Sequence, residues 1–178
     1  MSSVILKSNN NLKRTGCVGM EDVQLREAMI EDIPKLENYA IESNTYMIKP
    51  MDALTESLHE TGKHPMLILK ENDLVGFFIL QYGIGVSRYT DNPNAVLFKA
   101  HSIDLKYQSQ GYAKKSLELL PDYVREHYPE VDEIVLSVAA DNISSQMLYV
   151  RSGFLNSQKR ININDKVEYV LTKKVKKS

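Results

Sequence analysis

The amino-acid sequence predicts an α/β (α+β) fold with a central mixed β-sheet and helices packed on its faces. Two patterns support this prediction: strand-like runs outnumber helical runs, and hairpins occur beside strand–helix–strand units. The predicted order of elements is β, α, α, β, β, β, α, β, α, β, β. A chain of 178 residues has the usual length of one domain. We predict a poorly ordered lead-in over residues 1–20 and a single domain over residues 21–175.

The first half of the chain predicts a strand, two helices and a hairpin. Residues 23–26 alternate between apolar and polar side chains, which is typical of a half-buried strand. Acidic residues before Pro34, and Asp52 before an apolar repeat, each mark the start of a helix. The apolar runs 66–69 and 74–80 flank a polar stretch, so we expect them to pair as a hairpin.

The second half predicts two more strands, each followed by a helix, and then a closing hairpin. The strands are expected over residues 96–103 and 133–138, and the hairpin over residues 155–172. Between the strands, apolar residues recur at steps of four, three and four, which places them on one helix face. Pro121 lies inside this helix and is expected to kink or break its last turns.

Composition argues against several classes of protein. The formal net charge is −1 with both signs mixed, so no basic surface is expected to bind nucleic acid. No run approaches the roughly 18 apolar residues of a membrane span. A single cysteine, Cys17, and four scattered histidines give no metal-binding spacing. We therefore predict a cytoplasmic protein with no metal site.

One loop is expected to bind a phosphate group. The strand at 96–103 is followed by Gln108-Ser109-Gln110-Gly111-Tyr112-Ala113-Lys114-Lys115, where a loop turns directly into a helix. A helix N-terminus leaves about four unpaired N–H donors, and a glycine allows a pyrophosphate to approach them. The pattern lacks the glycines of a Walker loop or a dinucleotide fingerprint. The alternative is that Gly111 only eases a tight turn.

A second polar pattern opens the next helix. Asn142 or Asp141 has the character of an N-cap, and Gly153 is placed to end the helix. At 100° per residue, Asn142, Ser145 and Tyr149 lie on one helix face. The alternative is a capped helix with a partly buried tyrosine that has no chemical role.

Together these motifs resemble the GNAT family of N-acetyltransferases. The resemblance is carried by Gln108-x-x-Gly111-x-Ala113 after one strand, and by Asn142-x-x-Ser145-x-x-x-Tyr149 with Ser152-Gly153-Phe154 after the next. It implies a mostly antiparallel sheet in which the strands at 96–103 and 133–138 run parallel and splay apart.

The same resemblance implies acetyl-coenzyme A as cosubstrate, and no metal. Ser102 and Ile103 would offer backbone contacts to the pantetheine arm, and a backbone N–H near Ile103 would polarise the thioester carbonyl. The amides of residues 108–115 would hold the pyrophosphate. Asn142, with Ser145 on the same face, would bind the pantetheine arm.

The implied reaction is direct attack of an amine on the thioester in a ternary complex, with Tyr149 as the general acid on the leaving thiolate. The family often places a glutamate base on the first splayed strand, where this chain has Lys99 and His101; His101 is the candidate base. The acceptor would be a small-molecule amine or a peptide N-terminus, contacted by residues 44–58, 83–94 and 158–166. A non-catalytic acyl-coenzyme A-binding module is the alternative, and a homodimer is possible.

Overall fold

The computed structural model describes residues 19–42 and 47–176. Residues 1–18 of the predicted lead-in and residues 44–46 of the predicted acceptor region therefore lie outside the described residues. The strands are β1 (Val23–Glu27), β2 (Lys63–Lys70), β3 (Asp73–Gln81), β4 (Ala95–Ile103), β5 (Glu133–Ala139), β6 (Leu155–Ile163) and β7 (Lys166–Lys174). The helices are α1 (Ile33–Leu36), α2 (Pro50–Ser57), α3 (Tyr112–His127) and α4 (Ile143–Arg151).

All of these strands belong to one sheet in the order β1-β2-β3-β4-β5-β7-β6. Every neighbouring pair is antiparallel except β4 and β5, which run parallel. The parallel pairing extends only from Ala95 opposite Glu133 to Leu97 opposite Val135, so the two strands separate beyond Leu97. The predicted fold class, with its mixed, mostly antiparallel sheet and splayed parallel pair, is confirmed.

A β-bulge lies in β4 just beyond the point of separation. Phe77 pairs with Ser102 and Ile79 pairs with Lys99, so Ala100 and His101 together lie opposite the single residue Phe78. Ala100 adopts a φ of 55°, which is unusual for a residue with a side chain. A bulge of this kind bends a strand and re-aims its side chains. Here it changes the course of the half of β4 that has no partner on the β5 side.

Helices cover both faces of the sheet, as predicted. On one face, the apolar stripe of α3 packs against the strands in a cluster that includes Leu117, Leu120 and Val124. On the other face, Leu36 of α1 and Leu54 of α2 pack against Phe77 and its neighbours. The segments that lead from β4 into α3 and from β5 into α4 are thereby held at one edge of the sheet.

Pro121 was expected to kink or break the last turns of the third helix; the expected break is wrong, because α3 runs without interruption from Tyr112 to His127. A proline inside a helix costs about 3 kcal/mol. Burying a large apolar side chain stabilises by roughly 1.5–3 kcal/mol, and Leu117, Leu120 and Val124 are all fully buried around the proline. The summed burial exceeds the local cost, so tertiary packing keeps the helix intact.

Two kinds of feature are absent from residues 19–42 and 47–176, namely a membrane-spanning helix and a metal-binding group of side chains. In this part of the chain no helix is long and apolar enough to cross a membrane. The same residues contain no group of three or more histidine, cysteine, aspartate or glutamate side chains that could hold a metal ion.

Candidate active site

A cavity of about 640 Å³ lies beside the end of β4 and the N-termini of α3 and α4. The structure brings most of the predicted site residues to its wall: His101, Ser102, Ile103, Gln108, Ser109, Gly111, Tyr112, Ala113, Lys114, Asn142, Ser145 and Tyr149. Of the other lining residues, Met47 lies in the predicted acceptor segment 44–58 and Glu42 is one of the carboxylates that could attract a cationic acceptor, whereas Ile41, Tyr107, Ser144 and Leu148 were not predicted. Gln110 and Lys115 are absent from the wall.

The N-terminus of α3 presents free backbone amides to the cavity. The first helical hydrogen bond runs from the Lys115 N–H to the Gly111 carbonyl at 3.0 Å, so the N–H groups of Tyr112, Ala113 and Lys114 have no acceptor within the helix. Gly111 caps the helix in the left-handed region, with φ at 91°. A residue with a side chain adopts that conformation only at a cost, so the geometry of this turn depends on glycine.

Gln110, Lys114 and Lys115 of this loop differ in where their side chains point. The Gln110 amide donates to the Lys106 carbonyl at 3.3 Å, away from the cavity. Lys115 lies 3.9 Å from a carboxylate oxygen of Glu118. Lys114 lies 4.0 Å from the other carboxylate oxygen of Glu118, but it lines the cavity and its side chain is 71% exposed. The positive charge that reaches the cavity therefore comes from Lys114 and the helix N-terminus.

Asn142, rather than Asp141, caps α4. Its Oδ1 accepts a hydrogen bond from the Ser145 N–H at 3.1 Å and from the Ser144 hydroxyl at 3.2 Å. Both contacts use the same oxygen, which leaves the Nδ2 hydrogens of Asn142 available to donate to a ligand. One side chain can thus fix the start of the helix and offer a donor at the cavity wall.

Tyr149 reaches the cavity through an aromatic environment. Its ring lies 6.0 Å from Phe154 and 6.4 Å from both Phe98 and His101. Burial raises the pKa of the Tyr149 hydroxyl to about 12. The phenol is therefore protonated throughout the neutral range, and no hydrogen bond occupies it among the described residues. A group in this state can donate a proton to an anion that forms in the cavity.

His101 is held as a neutral imidazole. Its Nε2 lies 3.0 Å from the Ser116 hydroxyl, which itself donates to the Ala113 carbonyl at 2.8 Å. Nε2 must then carry the hydrogen and donate to Ser116. Burial lowers the pKa of His101 to about 4, because a charged ring would be poorly solvated there. His101 is consequently a weak proton acceptor, which argues against the predicted role of general base.

The low pKa of His101 predicts that the free energy of unfolding depends on pH. The unfolded chain binds a proton at this histidine below about pH 6.5, whereas the folded chain does so only near pH 4. The free energy of unfolding should therefore fall as the pH drops from 6.5 to 4, by up to roughly 3 kcal/mol. Chemical denaturation of the wild type and of His101→Asn, at pH values across this interval, measures the fall in the free energy of unfolding. An equally steep fall in the variant, or a ring that titrates near pH 6.5 by nitrogen NMR, would contradict the assignment.

Long-range contacts tie the segment after α1 to the end of β4. The Tyr39 hydroxyl lies 2.8 Å from the Ser102 hydroxyl. Asp104, which is only 2% exposed, accepts the Ala40 N–H at 3.1 Å and the Lys106 N–H at 2.9 Å. The Leu105 N–H in turn donates to the Ala40 carbonyl at 3.0 Å. These contacts bring the residues that follow Ala40 to the cavity wall.

Comparison with known proteins relates this chain to acetyltransferases. Residues 28–154 match the Acetyltransferase (GNAT) family. The uncharacterized N-acetyltransferase YbbJ from Bacillus subtilis (strain 168) is 34% identical over 143 residues, which cover 79% of this chain and 89% of that protein.

Two solved structures share the fold at low sequence identity. Spermidine N-acetyltransferase from Vibrio cholerae, in complex with CoA and spermine, superimposes with a TM-score of 0.61 at 18% identity, over 86% of this chain and 96% of that one. AAC(6')-Ib, in complex with paromomycin and acetyl-CoA, gives a TM-score of 0.69 at 15% identity, over 86% and 94% of the two chains. With the family match spanning more than half of its length, this chain belongs to the GNAT acetyltransferase family and is an acetyl-coenzyme A-dependent acyltransferase.

Proposed function

We propose that this protein transfers the acetyl group of acetyl-coenzyme A to a primary amine by direct attack in a ternary complex. One observation carries the proposal: a single cavity joins the free amides of α3, the edge of β4 that has no partner strand, and the Tyr149 hydroxyl. These groups match, in turn, a pyrophosphate, an amide-containing arm and a leaving thiolate. The non-catalytic binding module would need the first two groups and not the third.

The residues present fit acetyl-coenzyme A. The unpaired N–H groups of Tyr112, Ala113 and Lys114, with the Lys114 ammonium, suit a diphosphate. Beyond Leu97 the edges of β4 and β5 have no strand between them, so their backbone groups can pair with the amides of a pantetheine arm. Asn142 adds a side-chain donor. When bound, this cosubstrate supplies an activated thioester carbonyl that an amine can attack.

Two groups of the protein then act on the reacting atoms. A backbone N–H of β4 near Ile103 donates to the carbonyl oxygen as negative charge develops, an interaction commonly worth several kcal/mol. As the carbon–nitrogen bond forms and the carbon–sulfur bond breaks, the Tyr149 hydroxyl gives its proton to the departing sulfur. The nitrogen loses its excess proton, which returns to the Tyr149 oxygen through water in the cavity, so the products are an acetylated amine and a free thiol.

The acceptor must lose its own proton before it attacks, because an ammonium has no lone pair. His101 is a poor candidate for this step, since burial lowers its pKa to about 4. We propose that the proton leaves to water in the cavity. The acceptor is a small-molecule amine or a peptide N-terminus. A homodimer and a cytoplasmic location stay predictions of the sequence.

A thiol-release assay with acetyl-coenzyme A tests the proposal. The wild type is assayed against polyamines, aminoglycosides, amino acids and peptides with free N-termini, with a reaction lacking amine as the control. We expect release well above the control with at least one amine class. If no amine stimulates release while calorimetry shows that coenzyme A binds, the protein is the binding module instead.

A further inference from the structure

We infer that Asp104 is a positioning residue that couples the cosubstrate loop to the segment that binds the acceptor; this inference rests on the proposed function. Asp104 follows β4 directly, is only 2% exposed and is not part of the cavity wall. Its carboxylate is therefore not placed to take a proton from the acceptor or to touch the cosubstrate. Any effect on the reaction must pass through the backbone groups that it binds.

The two carboxylate oxygens of Asp104 bind two different segments. Oδ1 accepts the Lys106 N–H at 2.9 Å, in the loop that leads to α3. Oδ2 accepts the Ala40 N–H at 3.1 Å, across 64 positions of the sequence. One buried side chain thus joins the loop that we assign to the pyrophosphate to the segment that follows α1.

Both segments reach the cavity next to these contacts. Ile41 lines the wall directly after Ala40, and Tyr107 lines it directly after Lys106. The Leu105 N–H also donates to the Ala40 carbonyl at 3.0 Å, so two hydrogen bonds hold Ala40 beside the loop. A displacement of about 1 Å in a positioning segment can lower a rate by about 100-fold. The Asp104 carboxylate therefore fixes the acceptor side of the cavity relative to the thioester side.

The same contacts predict that coenzyme A stabilises the backbone at Ala40. We assign the coenzyme A pyrophosphate to the amides of residues 108–115, and the loop before them is folded on Asp104 through its Oδ1. A ligand that orders one partner of a contact reduces the opening of that contact. Ala40 does not line the cavity, so a slower exchange of its N–H with solvent would report this coupling rather than direct contact with the ligand.

Asp104→Asn tests the role by changing a single atom of the side chain. It keeps one oxygen and replaces the other with an NH₂ group, which cannot accept an N–H. The turn to Lys106 is local and should keep the remaining oxygen, so the Ala40 N–H should lose its acceptor. With the amine of the panel that gives the fastest thiol release, we expect KM for the amine to rise about tenfold. The calorimetric affinity for coenzyme A should stay within about twofold of the wild type.

Asp32→Asn is the matched control. It removes another buried carboxylate, 4% exposed, which accepts the Met29 N–H at 2.8 Å and lies outside the cavity wall. This variant should lose stability without a change in KM for the amine. A purely structural role of Asp104 would instead make the two variants alike.

Amide hydrogen exchange, followed by NMR, tests the coupling without an acceptor. In the wild type, saturating coenzyme A should slow exchange of the Ala40 N–H by at least about fivefold, and in Asp104→Asn by less than about twofold. This wild-type measurement decides the point even if Asp104→Asn fails to fold.

Different results separate the inference from the proposed function. An Ala40 exchange rate that coenzyme A leaves unchanged in the wild type overturns the coupling. A wild-type KM for the amine in Asp104→Asn, or an equal rise in Asp32→Asn, overturns the positioning role and leaves the acetyltransferase activity standing. If no amine supports thiol release, the proposed function is overturned, and the role of Asp104 toward an acceptor with it.

Discussion

Replacing Tyr149 with phenylalanine should lower kcat by about 10²–10⁴-fold, the usual contribution of a general acid. The substitution removes only the hydroxyl, so the packing of the ring against Phe98 and Phe154 is retained. Without a proton donor the sulfur must depart as a free thiolate. Because burial keeps the pKa of Tyr149 near 12, ionisation of the tyrosine should leave the wild-type rate unaffected below about pH 10.

The affinity for acetyl-coenzyme A separates this chemical effect from a loss of binding. Calorimetry should give the same dissociation constant for the wild type and Tyr149→Phe. Tyr123→Phe is the matched control, because Tyr123 lies on α3, stacks on His127 and does not contribute to the cavity wall. Undiminished turnover in Tyr149→Phe would exclude Tyr149 from the mechanism. Equal losses in both variants would point to a general effect on the fold.

Gly111→Glu should abolish binding of acetyl-coenzyme A, with the dissociation constant rising by at least about 100-fold. The substitution places a carboxylate beside the amides that we assign to the pyrophosphate, and like charges at short range repel. It also forces a side chain into a backbone conformation at φ of 91°, where a Cβ would lie 3.1 Å from the Met20 methyl group. Calorimetric titration with coenzyme A measures the effect.

Gly153→Glu is the matched control for the backbone strain. Gly153 has a φ of 90°, and its nearest side-chain neighbour is Lys173, so the new carboxylate would lie near a cation and outside the cavity wall. Both variants should lose stability, by about 1–2 kcal/mol from the left-handed conformation. Only Gly111→Glu should lose coenzyme A binding. Tight binding by Gly111→Glu, at a temperature where both variants are folded, would remove the pyrophosphate assignment.

The order of the elements could be predicted because it depends on local signals. Each of these signals comes from residues that are close together in the sequence. They are the alternation at residues 23–26, the apolar stripe of α3 and the polar break between β2 and β3. The capping role of Asn142 was predictable for the same reason, although only the structure decides between it and Asp141. Pro121 misled the prediction because the burial that keeps α3 intact involves other strands and helices.

What the sequence could not predict depends on contacts between distant residues. The Ala40–Asp104 and Tyr39–Ser102 contacts join residues more than 60 positions apart, and they hold the segment after α1 against the end of β4. The weakness of His101 as a base likewise comes from burial against Phe98 and Tyr149. Asp104, directly after β4, was the one sign of these contacts in the sequence. A carboxylate that is buried beside a strand needs hydrogen-bond donors from another segment.

The destination of the acetyl group tests direct transfer in a ternary complex most directly. The protein is incubated with acetyl-coenzyme A alone and then with an amine that stimulates thiol release, and both the protein and the amine are weighed by mass spectrometry. We predict an unmodified protein in both reactions, and one acetylated amine for each thiol released. An acetylated protein that forms without amine and passes its acetyl group to the amine on addition would contradict the account.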